Sequence, residues 1–219
     1  MPGLSREELL GQVRAALARA AVPAPEPIDY EPARLAHADG ALERFNEMAA
    51  QAGTIVHQSD GPETTGRIVA KLVEQVAAKL VTLEQRDFAG CGEIVSALTA
   101  AGVRVASGTI DDDVLFSADV GITSVRWAIA ETGSLVVAAG PESRRMISLA
   151  PPICIAIVAE EQILPDLLDW AQRQRPDDEA PVPSQQVLIT GPSRTGDIEL
   201  HPVIGMHGPE QVHAVLVRS

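Results

Sequence analysis

The sequence predicts an α/β fold, with a mainly parallel β-sheet covered by helices on both faces. Short apolar segments alternate along the chain with segments of helical periodicity, which is typical of such a sheet. The chain has 219 residues, enough for one domain with an appendage and for a core that needs no disulfide or metal. Hydrophobic residues make up 46% and charged residues 21%, and these ordinary globular values exclude a wholly disordered chain.

Residues 1–52 are predicted to form an N-terminal helical extension with a proline-rich linker. Ser5 and Glu8 have the spacing of a capping box, and apolar residues then recur at helical spacing. Four prolines lie within 21–32, and because proline lacks an amide proton and restricts the residue before it, this stretch is expected to be extended. The helices of this extension are therefore predicted at 6–20 and 32–51.

Residues 53–219 are predicted to form the α/β domain itself. Strands are expected at 54–57, 80–83, 103–106, 120–123, 135–139, 153–158, 187–190 and 213–217. Helices are expected at 61–78, 92–101 and 161–174. Gly102 follows the second of these helices, at a position that favours a left-handed cap. The polar, proline-rich segment 175–186 is expected to form a loop or an arm over the sheet.

The charge and cysteine content limit the classes of partner and cofactor. The net charge is −13, so the surface repels nucleic acids and anionic membranes, and neither is expected as a partner. Residues 1–20 are too charged for a signal peptide, and no apolar run reaches the ~20 residues that span a bilayer, so we expect a cytoplasmic protein. The two cysteines, Cys91 and Cys154, are too few for an iron–sulfur cluster or a cysteine-rich zinc site on this chain.

The first of three glycine-marked segments combines a carboxylate with two hydroxyl groups just before a predicted strand. It comprises Glu131, Thr132, Gly133 and Ser134, and the glycine permits a tight turn or the close approach of a ligand. Glu131 could act as a general base, a nucleophile or a hydrogen-bond acceptor. Alternatively, Glu131 and Thr132 only cap the turn. A serine hydrolase is poorly supported, because the chain lacks a Gly-x-Ser-x-Gly elbow.

The second segment follows a predicted strand and combines glycines and hydroxyls with one arginine. Its candidate ligand-binding residues are Gly191, Pro192, Ser193, Arg194, Thr195 and Asp197. Exposed backbone amides and a guanidinium group can together hold a carboxylate or a phosphate. The segment is neither a P-loop nor a dinucleotide fingerprint, because both glycine patterns are incomplete. Alternatively, Arg194 pairs with a nearby carboxylate and fixes a turn.

The third segment, 201–209, contains two histidines and ends in Gly208 and Pro209. Asp197, Glu199 and His201 alternate and would share one face of an extended segment. Their spacing matches no established metal motif, so no metal site is predicted. His207 could contact a ligand or bond only to backbone. All three segments lie beside apolar stretches, and we expect them at the carboxyl ends of strands, where an open parallel sheet binds its ligands.

These segments resemble the LUD domain family, and most closely its lactate-utilisation protein C (LutC/YkgG) branch. The resemblance is carried by Ala-Glu-Thr-Gly-Ser-Leu-Val-Val at 130–137, Pro-Pro-Ile-Cys-Ile-Ala-Ile-Val at 151–158, Ile-Thr-Gly-Pro-Ser-Arg-Thr-Gly-Asp-Ile-Glu at 189–199 and Gly-Met-His-Gly-Pro at 205–209. It extends over most of the chain, from about Thr54 to Val217. It implies a three-layer Rossmann-like domain of the NagB/RpiA/CoA-transferase type.

The resemblance also implies a function and partners. The chain would belong to a system that oxidises L-lactate to pyruvate, together with two iron–sulfur proteins that carry the clusters. It would bind a small organic acid or a cofactor anion through the Gly-Pro-Ser-Arg-Thr loop. The family supplies no catalytic residue set, so Glu131, Arg194 and His207 are catalytic candidates from their chemistry alone. The identity of any cofactor and the formation of a homo-oligomer stay open.

Two other functions compete with this one. In the first, the chain is an independent enzyme of the CoA-transferase or isomerase kind, with Glu131 as the nucleophile and the amides near Gly191 as the oxyanion site. This alternative depends on analogy of fold. In the second, the chain is a regulatory module that binds an organic acid through Arg194 without turnover.

Overall fold

The structure is a computed structural model that describes residues 5–20, 39–140, 143–174, 183, 185–196, 202–205 and 207–218. The chain divides into two compact units, residues 1–33 and 34–219. In the first unit, helix α1 spans Arg6–Ala20. The Ser5 amide donates to Glu8 Oε2 at 2.8 Å, and the Glu8 amide donates to Ser5 Oγ at 3.3 Å. The predicted capping box is therefore confirmed, and these hydrogen bonds lower the pKa of Glu8.

The second unit is built on a six-stranded parallel sheet. Its strands are β1 (Ile55–Ser59), β2 (Leu80–Leu83), β3 (Arg104–Ala106), β4 (Val120–Ser124), β7 (Ile153–Ala159) and β12 (Gln211–Val217). They lie in the order β1-β12-β7-β4-β2-β3, and every adjacent pair is parallel. Strands β2 and β4 are buried along their whole length, and neither contains a charged residue.

A second, four-stranded sheet was not predicted as a separate layer. It contains β5 (Trp127–Ile129), β6 (Ser134–Ala139), β8 (Ile163–Leu164) and β9 (Gln185–Ile189) in the order β8-β5-β6-β9. Strand β6 is antiparallel to both of its neighbours. The predicted strands at 135–139 and 187–190 thus belong to this sheet, because an apolar run indicates burial but not the sheet to which a strand belongs. A further antiparallel pair joins β10 (Arg194–Gly196) to β11 (Pro202–Ile204).

Helices cover both faces of the parallel sheet, which confirms the predicted fold class. Helices α3 (Pro62–Gln75) and α4 (Cys91–Ala100) pack on one face, in a cluster that includes Val69, Val73, Ile94, Leu98, Ile122 and Ile155. Helix α2 (Ala41–Ala52) and the second sheet cover the other face, in a cluster that includes Phe45, Ala49, Leu135, Val137, Ala156 and Leu216. Ile155 and Ala156 belong to different clusters because successive side chains of a strand point to opposite faces.

The helix predicted over 161–174 was wrong in its first half. Strand β8 occupies 163–164, and helix α6 spans only Leu167–Gln172. Pro165 lies between them, and a proline inside a helix removes a hydrogen bond and clashes with the preceding turn. The Asp166 carboxylate then accepts a hydrogen bond from the Asp169 amide at 2.8 Å and begins the new helix.

Helices α5 and α2 also belong to the larger unit. Helix α5, at Asp112–Ser117, was not predicted. Helix α2 contributes Phe45 and Ala49 to the core of this unit.

The domain boundary between residues 52 and 53 stays a prediction. Within the described residues, no helix has both the length and the apolar character that a membrane crossing requires.

Candidate functional site

Residues of the first and second glycine-marked segments meet through a row of three hydroxyl groups. Thr132 Oγ1 lies 2.7 Å from Ser134 Oγ, which in turn lies 2.7 Å from Thr190 Oγ1. Ser134 is 2% exposed, so its hydroxyl is satisfied by these two neighbours rather than by solvent. The row joins the turn before β6 to the end of β9, which are adjacent strands of the second sheet.

Two glycines let both segments approach the carboxyl-terminal end of α2. Gly133 has φ +66° and Gly191 has φ +79°, a left-handed conformation that other residues rarely adopt. A Cβ atom at Gly133 would overlap the backbone of Met48 and Ala49, and one at Gly191 would overlap the Ala52 carbonyl. The absence of side chains at these two positions is therefore what allows the close packing against α2.

Glu131 stabilises the start of α6 in this structure. Its Oε2 accepts a hydrogen bond from the Leu167 amide at 3.1 Å, and its own amide donates to the Pro165 carbonyl at 3.0 Å. A carboxylate at this position satisfies an amide that has no partner within the helix, and it interacts favourably with the helix dipole. The contacts of Glu131 correspond to the capping alternative weighed from the sequence.

Ser193 joins the second segment to the third. Its amide donates to the Pro209 carbonyl at 2.9 Å, and its carbonyl accepts from the Gly205 amide at 3.1 Å. Its hydroxyl accepts from the His207 amide at 3.4 Å. A Cβ atom at Gly208 would lie 3.4 Å from Ser193 Cβ, so these loops are in contact. We call the region where the three segments meet around the end of α2 and around Ser193 the loop junction.

Arg194 is exposed and lies beside the end of α2. A Cβ atom at Gly53 would lie 2.7 Å from Arg194 Nη2 and 3.2 Å from Pro192 Cδ. Thr195 is described only as a backbone position of β10, and Asp197 lies outside the described residues, as do Glu199 and His201. No group of three or more potential metal ligands occurs in the part of the chain that the structure describes.

A cavity of about 390 Å³ opens at the loop junction. His207 and Gly208 line it together with Arg145, Glu210 and Phe116. Arg145 lies in a 3₁₀ turn at Arg145–Ser148, and its guanidinium group is exposed. Arg145 and Glu210 were not predicted from the sequence, because neither belongs to the three glycine-marked segments from which the ligand site was predicted.

The loop junction does not lie at the carboxyl ends of the parallel strands, where it was expected. Gly53 immediately precedes β1, and Gly208 and Pro209 immediately precede β12, so the junction lies at the amino ends of these strands. The expectation failed because the first two segments flank strands of the second sheet. The rule about carboxyl ends applies to the parallel sheet alone.

The carboxyl edge of the parallel sheet carries a larger cleft, of about 620 Å³. Its walls include Arg86, Arg126, Arg173, Phe88 and Trp127, and we call it the arginine cleft. Arg173 Cζ lies 4.6 Å from the centre of the Trp127 ring, a cation–π contact. Sequence reasoning missed this cleft. The available signal was an arginine three residues beyond each of the predicted strands at 80–83 and 120–123.

A buried carboxylate supports the base of the arginine cleft. Glu84 directly follows β2 and is 1% exposed. It accepts hydrogen bonds from Thr123 Oγ1 at 3.1 Å, from the Ser124 amide at 2.5 Å and from Ser143 Oγ at 2.7 Å. A buried charge is tolerated only when it is well hydrogen-bonded, and these bonds fix the end of β4, directly before Arg126.

Comparisons with known proteins agree with this architecture. The chain is 32% identical to lactate utilization protein C of Macrococcus caseolyticus over 178 residues, which cover 78% of this chain and 77% of that protein. It is 38% identical to lactate utilization protein C of Bacillus subtilis over 102 residues, but that alignment spans only 42% of the Bacillus protein. A DUF162 family protein from Deinococcus radiodurans has the same fold, with a TM-score of 0.57 at 18% identity, over 87% of this chain and 99% of that one.

Most of the chain matches the sequence pattern of one protein family. The LUD domain matches residues 42–217, from α2 to the end of β12. This range includes the loop junction, the arginine cleft and both sheets. The chain belongs to the LUD domain family.

Proposed function

We propose that this protein acts in lactate utilisation, as a component of an iron–sulfur system that oxidises L-lactate to pyruvate. The similarity to lactate utilization protein C of Macrococcus caseolyticus and of Bacillus subtilis supports a role in lactate utilisation. Within that system, the chain binds a small organic acid at the loop junction. The observation that carries this proposal is the Ser193 network, which brings the Gly191–Thr195 loop against His207 and Gly208 at the wall of a cavity.

The chemistry of the loop junction suits a 2-hydroxy acid. A guanidinium group can grip a carboxylate with two parallel hydrogen bonds. Two exposed arginines are available: Arg145 lines the cavity, and Arg194 lies beside Gly53 at the end of α2. The imidazole of His207 can exchange a hydrogen bond with the substrate hydroxyl. Glu210 also lines the cavity, and its carboxylate disfavours a second negative charge on the ligand. A monocarboxylate is therefore the expected ligand.

Calorimetric titration with L-lactate and pyruvate tests this site. We expect Arg194→Ala or Arg145→Ala to weaken binding about tenfold or more, as loss of a charged hydrogen bond does. Arg86→Ala is the matched control, because Arg86 lies at the opposite edge of the sheet. Unchanged affinity in both junction variants would refute the site. A loss in Arg86→Ala alone would place the acid in the arginine cleft instead.

In this proposal, the iron–sulfur clusters that accept electrons from lactate lie on partner proteins. Cys91 and Cys154 cannot supply the four ligands of an iron–sulfur cluster. Cys154 is fully buried, and burial, followed by the charge of Glu84, raises the pKa of its thiol to about 12, which disfavours the thiolate form. The clusters are therefore assigned to partner iron–sulfur proteins. Purification of the tagged chain from its own cells grown on lactate, followed by iron analysis of the proteins that co-purify, tests this assignment, and the absence of any associated iron–sulfur protein would overturn it.

Turnover separates this proposal from a purely regulatory role. An assembly of the chain with its iron–sulfur partners should reduce an artificial electron acceptor when L-lactate is added. The same assembly with Arg194→Ala or Arg145→Ala should need more lactate for the same rate. If lactate binds but the assembly never reduces the acceptor, the chain is a binding module and not part of the oxidising machinery.

A further inference from the structure

We infer that the arginine cleft is a second ligand site, which binds a phosphate-bearing molecule of nucleotide size. This inference does not depend on the proposed role in lactate utilisation. It uses residues at the opposite edge of the parallel sheet from the loop junction. The position of the cleft in the fold, its charge and its size support the inference.

The topology of the sheet opens a crevice where the arginine cleft lies. From β2 the chain crosses to β3 through α4, towards one edge of the sheet. From β4 it continues into the second sheet and returns in β7, on the other side of β4. Because the two connections leave in opposite directions, a gap forms beyond the carboxyl ends of β2 and β4. Open α/β sheets bind their ligands at such a switch point.

The charge of the cleft is opposite to that of the whole protein. The chain carries a net charge of −13, yet Arg86, Arg126 and Arg173 all line this one cleft. Over the described ranges, none of these three guanidinium groups forms an ion pair. Asp87 and Glu161 also line the cleft, so among the lining residues the arginines exceed the acids by one. The Glu84 carboxylate beneath the wall is occupied by its hydrogen bonds to Thr123, Ser124 and Ser143. Converging guanidinium groups match the oxygens of a phosphate, which favours a phosphate-bearing ligand over a neutral one.

The size and aromatic content of the cleft point to more than a free phosphate. A volume of about 620 Å³ is within the range of sites for drug-sized molecules and is far larger than lactate or phosphate requires. Phe88 and Trp127 provide apolar surface beside the arginines. The Trp127 residue is only partly buried, so a flat ligand group can pack against its ring from the cleft.

Hydrogen bonds within the protein hold the framework around the cleft. Glu84 fixes the end of β4 through its bonds to Thr123 and Ser124, which positions Arg126. The Arg126 amide also donates to the Val136 carbonyl at 2.8 Å. On the other wall, helix α4 begins at Cys91, just after Phe88, and the positive end of its dipole adds to the attraction for an anion. Because these bonds already hold the backbone around the cleft, ligand binding loses less free energy in ordering it.

Fluorescence of Trp127 provides a direct test. The chain has two tryptophans, so Trp170→Phe leaves Trp127 as the only one. In this background we would titrate ADP, inorganic pyrophosphate and adenosine, and repeat each titration by calorimetry. We expect ADP to bind saturably, to change the Trp127 emission, and to bind about tenfold or more tightly than either fragment, because it uses both the arginines and the apolar wall.

Two variants and a salt series decide the outcome. Arg86→Gln and Arg126→Gln should each weaken ADP binding about tenfold, whereas Arg145→Gln, at the loop junction, should leave it unchanged. Higher salt should weaken binding, as charge recognition requires. Melting curves without ligand would confirm that the variants fold. Absence of ADP binding, equal affinity for ADP and adenosine, equal affinity for ADP and pyrophosphate, or unchanged affinity in both arginine variants would overturn the inference.

Discussion

A pair of stacked histidines should make the stability of the domain depend on pH. His57 Nε2 lies 3.0 Å from His213 Nδ1, and the ring planes are 17° apart with centroids separated by 5.3 Å. One ring nitrogen must donate a proton and the other accept it, so the pair requires at least one neutral ring. Burial, followed by the charge of His57, lowers the pKa of His213 from 6.5 to about 4, and burial also lowers the pKa of His57.

The sign of the effect follows from the lowered pKa of His213. Between pH 6.5 and about 4 the unfolded chain binds a proton that the folded chain excludes, so stability falls as the pH drops through this range. A full shift of this size corresponds to about 3 kcal/mol of unfolding free energy. His57 is half-buried, and solvent screening of the pair reduces the expected loss to about 1–2 kcal/mol.

Urea denaturation of the wild type and of His213→Gln measures this loss. Glutamine is of similar size and stays neutral, and the carboxylates that titrate in the same range are common to both proteins. Between about pH 7 and about pH 4.5, the wild type should lose about 1–2 kcal/mol more unfolding free energy than the variant. Equal losses in the two proteins would show that His213 does not titrate differently on folding, and would refute the reasoning.

Two further predictions concern the loop junction and the start of α6. Gly133→Ala should lower the unfolding free energy by about 2 kcal/mol or more, because it combines an unfavourable φ of +66° with overlap against Met48 and Ala49. In Gly40→Ala the φ of +77° is similar but nothing lies within 4 Å, so the cost should be only about 1 kcal/mol, and equal costs would contradict the overlap. Glu131→Gln should cost about 0.3–1 kcal/mol through its weakened bond to Leu167, with lactate affinity unchanged. Lost turnover of the partner-complete assembly without lost stability would instead give Glu131 a catalytic role.

The parallel sheet could be predicted because its strands carry a strong local signal. The segments at 80–83, 120–123 and 153–158 are short, buried and rich in β-branched and other apolar residues, which is typical of strands covered on both faces. The same signal could not separate the two sheets, since β6 is equally buried. Helix α5 escaped prediction because its six residues include only a few apolar positions and begin with acidic ones.

The two candidate sites differ in how close their residues are in the sequence, and this decides how much of each could be predicted. The loop junction was visible in part, because glycines and hydroxyls occur together in short segments whose contacts the structure brings together. The arginine cleft was invisible, since Arg86, Arg126 and Arg173 come from three distant parts of the chain and meet only through the strand order. The contact between His57 and His213 was invisible for the same reason, since the two residues are 156 positions apart in the chain.

The place of β12 in the sheet has a consequence for folding during synthesis. Strand β12 lies between β1 and β7, although it follows both of them by many residues in the chain. A nascent chain that has not yet released residues 211–217 therefore exposes the unpaired edges of both neighbours. Closing the sheet requires a contact of high sequence separation, which makes folding slow. Until β12 emerges, those edges are open to pairing with other chains, so aggregation is most favoured in this interval of synthesis.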